Sequence, residues 1–140
     1  FYPLSPAIIR IGLGLLRDSR TPWQSAKATL QRLRRLRRAI VESKPEVIVS
    51  FCDRMNILTL TSLSGKRLPV VISERSDPRQ QKLGRIWELA RRTVYPKARV
   101  IVVQTEAIQT YLEKMLRIRN YYRIIPSAVA EPLPERADYR

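Results

Sequence analysis

The sequence predicts an α/β fold in which a Rossmann-like parallel sheet is flanked by helices. Short β-branched runs such as Val70 to Ile72 show no polar alternation, which is typical of strands buried on both faces of a parallel sheet. These runs alternate along the chain with segments whose apolar residues recur every three or four positions, as they do in amphipathic helices. Such an alternation of strand and helix favours successive βαβ units.

The composition excludes several classes of site. The chain has 140 residues, no histidine and a single cysteine, Cys52. It therefore cannot supply a Ser-His-Asp triad, a histidine base, a Cys/His zinc site or a disulfide framework from its own residues. No apolar run approaches the roughly 20 residues that span a bilayer. With 27 Lys and Arg against 12 Asp and Glu, the net charge of +15 favours contact with an anionic partner.

The first strand is predicted over residues 7–13, and a long helix follows over residues 22–43 with Thr21 as its N-cap. One apolar stripe of this helix is formed by Trp23, Ala26, Leu30, Leu33, Leu36 and Ile40. The opposite face is basic and consists of Lys27, Arg32, Arg34, Arg35, Arg37 and Arg38. Such a face is explained either by long, solvated side chains or by contact with an anionic membrane surface.

Four further strands are predicted at residues 46–51, 70–72, 99–105 and 121–125. Helices are predicted at residues 53–65, 85–95 and 106–116, the last capped by Thr105. In the helix at 85–95, the residues expected to face the core are Ile86, Leu89, Ala90 and Val94. Asp77 and Pro78 predict one more helix start, where Gln80 would complete a capping box.

Polar residues follow three of the predicted strands directly. These clusters are Asp53, Arg54 and Asn56; the run Ser73, Glu74, Arg75 and Asp77; and Gln104, Thr105 and Glu106. Right-handed crossovers bring the carboxyl ends of parallel strands to one edge of the sheet, where ligands bind in open α/β folds. The pattern therefore predicts one binding crevice, although Asp53 and Asp77 are equally explained as N-caps.

Four motifs give the chain a resemblance to a known family. SFCDRMN, PVVISERSDP, VIVVQTE and RIIPSAV, in this order and each on its expected strand, are similar to the N-terminal domain of family 4 glycosyltransferases. That family has the GT-B fold of two facing Rossmann-like domains. The resemblance implies a transferase that moves a sugar, with retention, from a nucleotide-sugar donor to a glycan or lipid-linked acceptor. It implies no metal and no cofactor beyond the nucleotide sugar as co-substrate.

The resemblance also assigns residues to the cleft. It places Ser73, Glu74, Arg75 and Asp77 at the cleft floor, Gln104, Thr105 and Glu106 beside them, and Arg54 and Asn56 on the acceptor side. The candidates for a catalytic role are Glu74 and Arg75. Arg75 either binds the donor diphosphate or forms a salt bridge to Glu74 or Asp77. Glu74 either binds an acceptor hydroxyl or takes part in a cap or an ion pair.

By the same resemblance, residues 1–125 form a partial N-terminal half that lacks its first strands. Residues 126–140 form a linker toward a C-terminal, donor-binding domain outside these 140 residues. Such a piece is expected to aggregate and to be inactive alone.

The resemblance implies a cytoplasmic enzyme at the periphery of the membrane that takes part in polysaccharide or cell-envelope synthesis. Contact with the inner face of the cytoplasmic membrane is expected through Arg32, Arg34, Arg35, Arg37 and Arg38. The alternative is a basic module that binds nucleic acid or an anionic surface without catalysis. This alternative explains the charge but not the polar clusters at three strand ends. We therefore expect no specific binding to nucleic acid.

Overall fold

The computed structural model describes residues 5–14, 22–81, 83–117 and 121–127, and only the backbone of residues 22–25. From residue 22 onward, helices and strands occur in the predicted order. Their bounds are α1 Pro22–Ser43, β1 Ile48–Phe51, α2 Asp53–Ser62, β2 Val70–Ser73, α3 Arg85–Val94, β3 Val100–Val103, α4 Glu106–Leu116 and β4 Tyr122–Ile124. A 3-10 turn, Tyr95–Lys97, follows α3 directly. The predicted linker at 126–140 and the predicted cap Thr21 lie outside the described residues, except for Pro126 and Ser127.

The four strands form one parallel sheet in the order β1-β2-β3-β4. Phe51 lies opposite Ser73, which in turn lies opposite Val102. The order along the sheet equals the order along the chain because each βαβ crossover moves one position to the same side. The predicted parallel α/β sheet is therefore confirmed.

Helices α2, α3 and α4 cover one face of this sheet. The strand residues that point toward them are buried, including Val70, Ile72, Ile101 and Val103. Their partners in the core include Ile57, Leu60, Val94, Tyr95, Ile108 and Leu112. Residues that point to the opposite face are also apolar but less protected, since Val49 is 54% and Phe51 is 53% exposed.

Helix α1 lies beside α2. Its residues Leu33, Leu36 and Ile40 are half-buried, as the apolar stripe predicted, but Ala26 and Leu30 are exposed. Leu30 is 47% exposed because the helix touches the domain along a narrower strip than its apolar stripe. Among the described residues, no helix combines the length and apolar character needed to cross a bilayer.

The strand predicted over residues 7–13 is wrong. Residues 5–14 contain no strand, and Ile8, Ile9 and Ile11 are exposed. A strand needs a hydrogen-bonded neighbour. Within the described residues, β1 pairs with β2 and forms no ladder with this segment, so its β-branched run has no hydrogen-bonded neighbour.

The two predicted aspartate helix caps are also wrong. Asp77 caps only a turn: its Oδ1 accepts from Arg79 N at 2.9 Å, its backbone carbonyl accepts from Gln80 N at 3.0 Å and Gln81 N at 2.9 Å, and the described residues that follow are not helical until Arg85. The N-cap of α2 is Cys52, with a φ of 68°, and Asp53 is the first helical residue. The carboxylate of Asp53 is buried: its Oδ1 accepts a hydrogen bond from Arg54 N at 2.5 Å, and its Oδ2 faces a cation of α3.

The predicted core face of α3 is displaced by one residue. Ile86 is 82% and Leu89 is 68% exposed, whereas Ala90 and Val94 face inward as expected. The observed inward stripe is Trp87, Ala90, Arg91 and Val94. The observed stripe has the same helical period as the predicted one. It includes an arginine, and a stripe defined by apolar residues alone does not contain a charged residue.

Candidate functional site

The carboxyl ends of β1, β2 and β3 lie side by side, as predicted. Cys52 N–H donates to the Ser73 carbonyl oxygen at 3.1 Å, and Glu74 N–H donates to the Val102 carbonyl oxygen at 2.8 Å. These bonds continue the sheet ladder one residue past the strands. The polar clusters that follow the strands therefore share one edge of the sheet, which is the geometry that a crevice requires.

Three of the predicted site residues are buried at this edge. Asn56 and Glu74 are 0% exposed and Ser73 is 6% exposed. Asn56 Nδ2 donates to the Ser73 carbonyl oxygen at 3.0 Å, which fixes the first turn of α2 to the end of β2. These contacts hold the loops together, and a direct role in substrate binding stays a prediction for all three residues.

The carboxylate of Glu74 accepts a hydrogen bond from an aromatic hydroxyl. The Tyr95 O–H donates to Glu74 Oε2 at 2.5 Å, while Oε1 is buried without a hydrogen-bond partner among the described residues. Burial disfavours the charged carboxylate and raises its pKa to about 6, although the Tyr95 hydrogen bond and the Arg91 charge act in the opposite direction. Burial, followed by the neighbouring Glu74 charge, also raises the pKa of Tyr95 well above its usual value. Glu74 can therefore take up or release a proton near pH 6.

Arg75, next in the chain, is exposed at the same edge. Neither of the two carboxylates that might have neutralised it does so. Glu74 points inward to Tyr95, and Asp77 forms a bidentate pair with Arg79, with 2.7 Å between Nη2 and Oδ2. Arg75 makes no ion pair with any described residue, so its guanidinium remains available to an anionic ligand.

The third cluster is partly structural. Thr105 Oγ1 accepts a hydrogen bond from Ile108 N at 3.3 Å, which confirms Thr105 as the N-cap of α4. Gln104 Nε2 donates to Ser127 Oγ and joins the end of β3 to the segment after β4. Glu106 is exposed in the first turn of α4.

The comparison with protein families decides the assignment. The sequence profile described as "Glycosyl transferase 4-like domain" matches residues 6–128. The chain belongs to this family. The resemblance carried by the four sequence motifs is thereby confirmed, together with the α/β architecture that it implied.

A curated relative of this glycosyl transferase 4-like domain comes from Campylobacter jejuni subsp. jejuni serotype O:2 (strain ATCC 700819 / NCTC 11168). It is named GalNAc-alpha-(1->4)-GalNAc-alpha-(1->3)-diNAcBac-PP-undecaprenol alpha-1,4-N-acetyl-D-galactosaminyltransferase. It is 34% identical over 82 residues, which are 59% of this chain and 23% of the relative. The chain thus matches less than a quarter of that relative's length.

The glycosyl transferase 4-like domain also contains a buried ionic cluster that the sequence analysis missed. Arg91 is 1% exposed. Its guanidinium lies 3.7 Å from Asp53 Oδ2 and 3.3 Å from Glu88 Oε1, and 5.7 Å from the centre of the Tyr95 ring. The cluster joins the start of α2 to α3 and lies next to Tyr95, whose hydroxyl donates to Glu74.

A sequence signal for Arg91 did exist. It occupies the i+4 position from Trp87, in the stripe that continues through Val94, so helical spacing alone places it on the inward face. The sequence of two adjacent arginines, Arg91 and Arg92, is equally compatible with a basic surface pair. Only the structure separates the two, since Arg91 is buried and Arg92 is exposed.

The described part of the domain offers no obvious metal site. No group of three or more Cys, Asp or Glu residues comes together there with the spacing of metal ligands. At the edge, Asp53 pairs with Arg91, Glu74 accepts from Tyr95 and Asp77 pairs with Arg79.

Proposed function

We propose that this domain is the acceptor-side part of a glycosyltransferase that moves a sugar, with retention, from a nucleotide-sugar donor to a lipid-linked glycan. The observation that carries the proposal is the family match over residues 6–128. The named activity of the Campylobacter jejuni relative supports an acceptor linked through a diphosphate to a polyprenol. The nucleotide sugar serves as co-substrate, and the proposal requires no further cofactor and no metal.

The site supports this chemistry through its exposed cation. A sugar leaves its donor as a nucleoside diphosphate, so negative charge builds up on the leaving oxygen in the transition state. A guanidinium forms strong paired hydrogen bonds with phosphate oxygens and stabilises such charge. Arg75 is exposed and unpaired at the ligand edge, and we assign it this role. Glu74, buried beside it, is assigned to support the loop.

The donor-binding half is proposed to lie in a second domain of the same protein, beyond the linker at residues 126–140. The carboxyl edge of the sheet would face that domain, with Arg54, Thr105 and Glu106 exposed toward the acceptor. The small share of the relative that the chain matches is in keeping with such a second part.

Helix α1 is proposed to hold the enzyme at the inner face of the cytoplasmic membrane. Arg34 and Arg35 are exposed on its outer side, where they can meet anionic headgroups, and Arg38 is exposed there too but forms an ion pair with Glu42 at 2.7 Å. Arg37 differs, because its Nη1 donates to the Ser62 carbonyl oxygen at 2.8 Å and ties α1 to α2. Arg32 also lies on the inner side and borders a groove of the domain.

Sugar transfer by the full-length protein tests the proposal. The protein is incubated with a labelled nucleotide sugar, such as UDP-N-acetylgalactosamine, and a polyprenyl-diphosphate-linked glycan. We expect label to move into the lipid fraction in proportion to enzyme and time. Tight binding to nucleic acid with no transfer to any of a panel of nucleotide sugars and lipid-linked glycans would favour the basic-module alternative.

A further inference from the structure

A groove of about 660 Å³ lies between α1, α2 and α3, closed on one side by residues 13 and 14. Its walls are apolar and come from Leu36, Met55, Leu58 and Trp87. Its only charged lining residues among those described are Arg32 and Arg54. The volume is in the range of pockets that bind small molecules.

The groove opens near the ligand edge of the sheet. Arg54 and Met55 belong to the first turn of α2, directly after the carboxyl end of β1. Trp87 belongs to the first turn of α3, and the Arg54 guanidinium lies 5.6 Å from the centre of its ring. This cation-π contact holds a positive charge over an aromatic wall. A ligand in the groove would thus have its polar end beside the crevice.

The lining selects one kind of ligand. Leucine, methionine and tryptophan side chains favour a flexible hydrocarbon chain. Arg54, which has no acidic neighbour among the described lining residues, favours an anion, and a diphosphate offers oxygens that a guanidinium binds in pairs. The two features together fit an amphipathic molecule with an isoprenoid chain and a diphosphate head.

The location of α1 supplies a route for such a chain. Leu36 on its inner side lines the groove, while its outer side exposes Leu30 and Val41 beside Arg34 and Arg38. A helix with an apolar and basic outer side can lie at a membrane surface. The groove would therefore begin where a lipid chain leaves the bilayer.

We propose that this groove binds the diphosphate and the first isoprene units of a polyprenyl-diphosphate-linked acceptor, with Arg54 on the diphosphate. The identity of this ligand as acceptor rests on the proposed function. The binding itself does not, because it requires neither donor nor catalysis.

The test is a titration of the full-length protein with farnesyl diphosphate, farnesol and inorganic diphosphate, followed by calorimetry and by tryptophan fluorescence. Trp87→Phe identifies the part of the optical signal that comes from the groove. We expect farnesyl diphosphate to bind at least about tenfold more tightly than either of its halves, since charged hydrogen bonds and apolar contacts act together.

Variants locate the site. Arg54→Met is expected to weaken farnesyl diphosphate binding about tenfold, because it removes a charged hydrogen-bond donor. Met55→Lys, which places a charge at the apolar wall, is expected to weaken farnesol and farnesyl diphosphate alike. Arg85→Met is the matched control: this arginine is also exposed near Trp87, but it does not line the groove, and binding should be unchanged.

Several results would overturn the inference. One is binding of farnesyl diphosphate that is no tighter than that of inorganic diphosphate, or equal loss in the Arg54 and Arg85 variants. Another is binding only to phosphatidylglycerol vesicles, which would indicate a general anionic surface. If the groove binds farnesyl diphosphate but no sugar is transferred, the proposed function fails alone. If transfer to the lipid acceptor proceeds with an unchanged KM in Arg54→Met, the groove inference fails alone.

Discussion

Glu74 shows how a single buried residue can make the domain sensitive to pH. Its pKa rises from an ordinary value of 4.5 to about 6, chiefly through burial. The folded protein therefore binds this proton more tightly than the unfolded chain does. The resulting stabilisation is complete below pH 4.5 and is lost as the pH rises through about 6, and it amounts to about 2 kcal/mol.

We predict that Glu74→Gln removes this part of the pH dependence, because glutamine is neutral at every pH and can still accept the hydrogen bond from Tyr95. Thermal melting of wild type and variant between pH 4 and 7 measures the effect. The two Tm curves should diverge between about pH 4.5 and 6 in favour of the variant. Parallel curves would show that Glu74 does not titrate in this range.

The adjacent residues Glu74 and Arg75 show what a sequence pattern cannot predict for single residues, namely the direction in which each side chain points. Both were predicted as cleft residues because both follow β2. One points into the core and the other to solvent. The difference depends on Tyr95, which is 21 positions away in the chain, and no local pattern specifies such a partner.

At the scale of elements, Arg91 is the connection between α2 and α3. It is the buried cation that faces Asp53 and Glu88, and both carboxylates would lose it together. Breaking a buried pair by removing one partner leaves an uncompensated charge, which costs about 3–5 kcal/mol.

We predict that Arg91→Met destabilises the domain by about 3 kcal/mol, because Glu88 retains some contact with water and softens the loss. Urea unfolding measures the change. Arg92→Met is the matched control, since Arg92 is exposed on the same helix, and its effect should stay within about 0.5 kcal/mol. Equal urea midpoints for the two variants would show that Arg91 has no such structural role.

Elements were predictable where local signals and packing agree. Each strand from β1 to β4 has an apolar run and a hydrogen-bonded neighbour in the sheet, so their prediction is confirmed, although β1 and β4 at the ends of the described sheet leave several residues exposed. The run at residues 7–13 has the same local signal but no neighbouring strand among the described residues. The rotation of α3 could not be predicted with an apolar rule, because its inward face contains Arg91, whose charge is neutralised only by residues of the folded protein.

At the scale of the whole molecule, different parts of the sheet serve stability and ligand binding. One face and its helices provide the core, and the carboxyl edge exposes Arg54 and Arg75 to a ligand. The sequence predicted this edge because topology alone brings successive strand ends together. It could not predict the groove beside α1, which depends on how three helices pack.

The most direct measurement is sugar transfer by the full-length protein with and without the Arg75 guanidinium. We predict that Arg75→Ala lowers kcat by about 10²-fold, because a charge-stabilising donor is lost from the transition state. The melting temperature should stay unchanged, since Arg75 is exposed. Arg85→Ala, also exposed, should retain full turnover. Unchanged kcat in Arg75→Ala at an unchanged Tm would contradict the assignment of this edge as the transfer site.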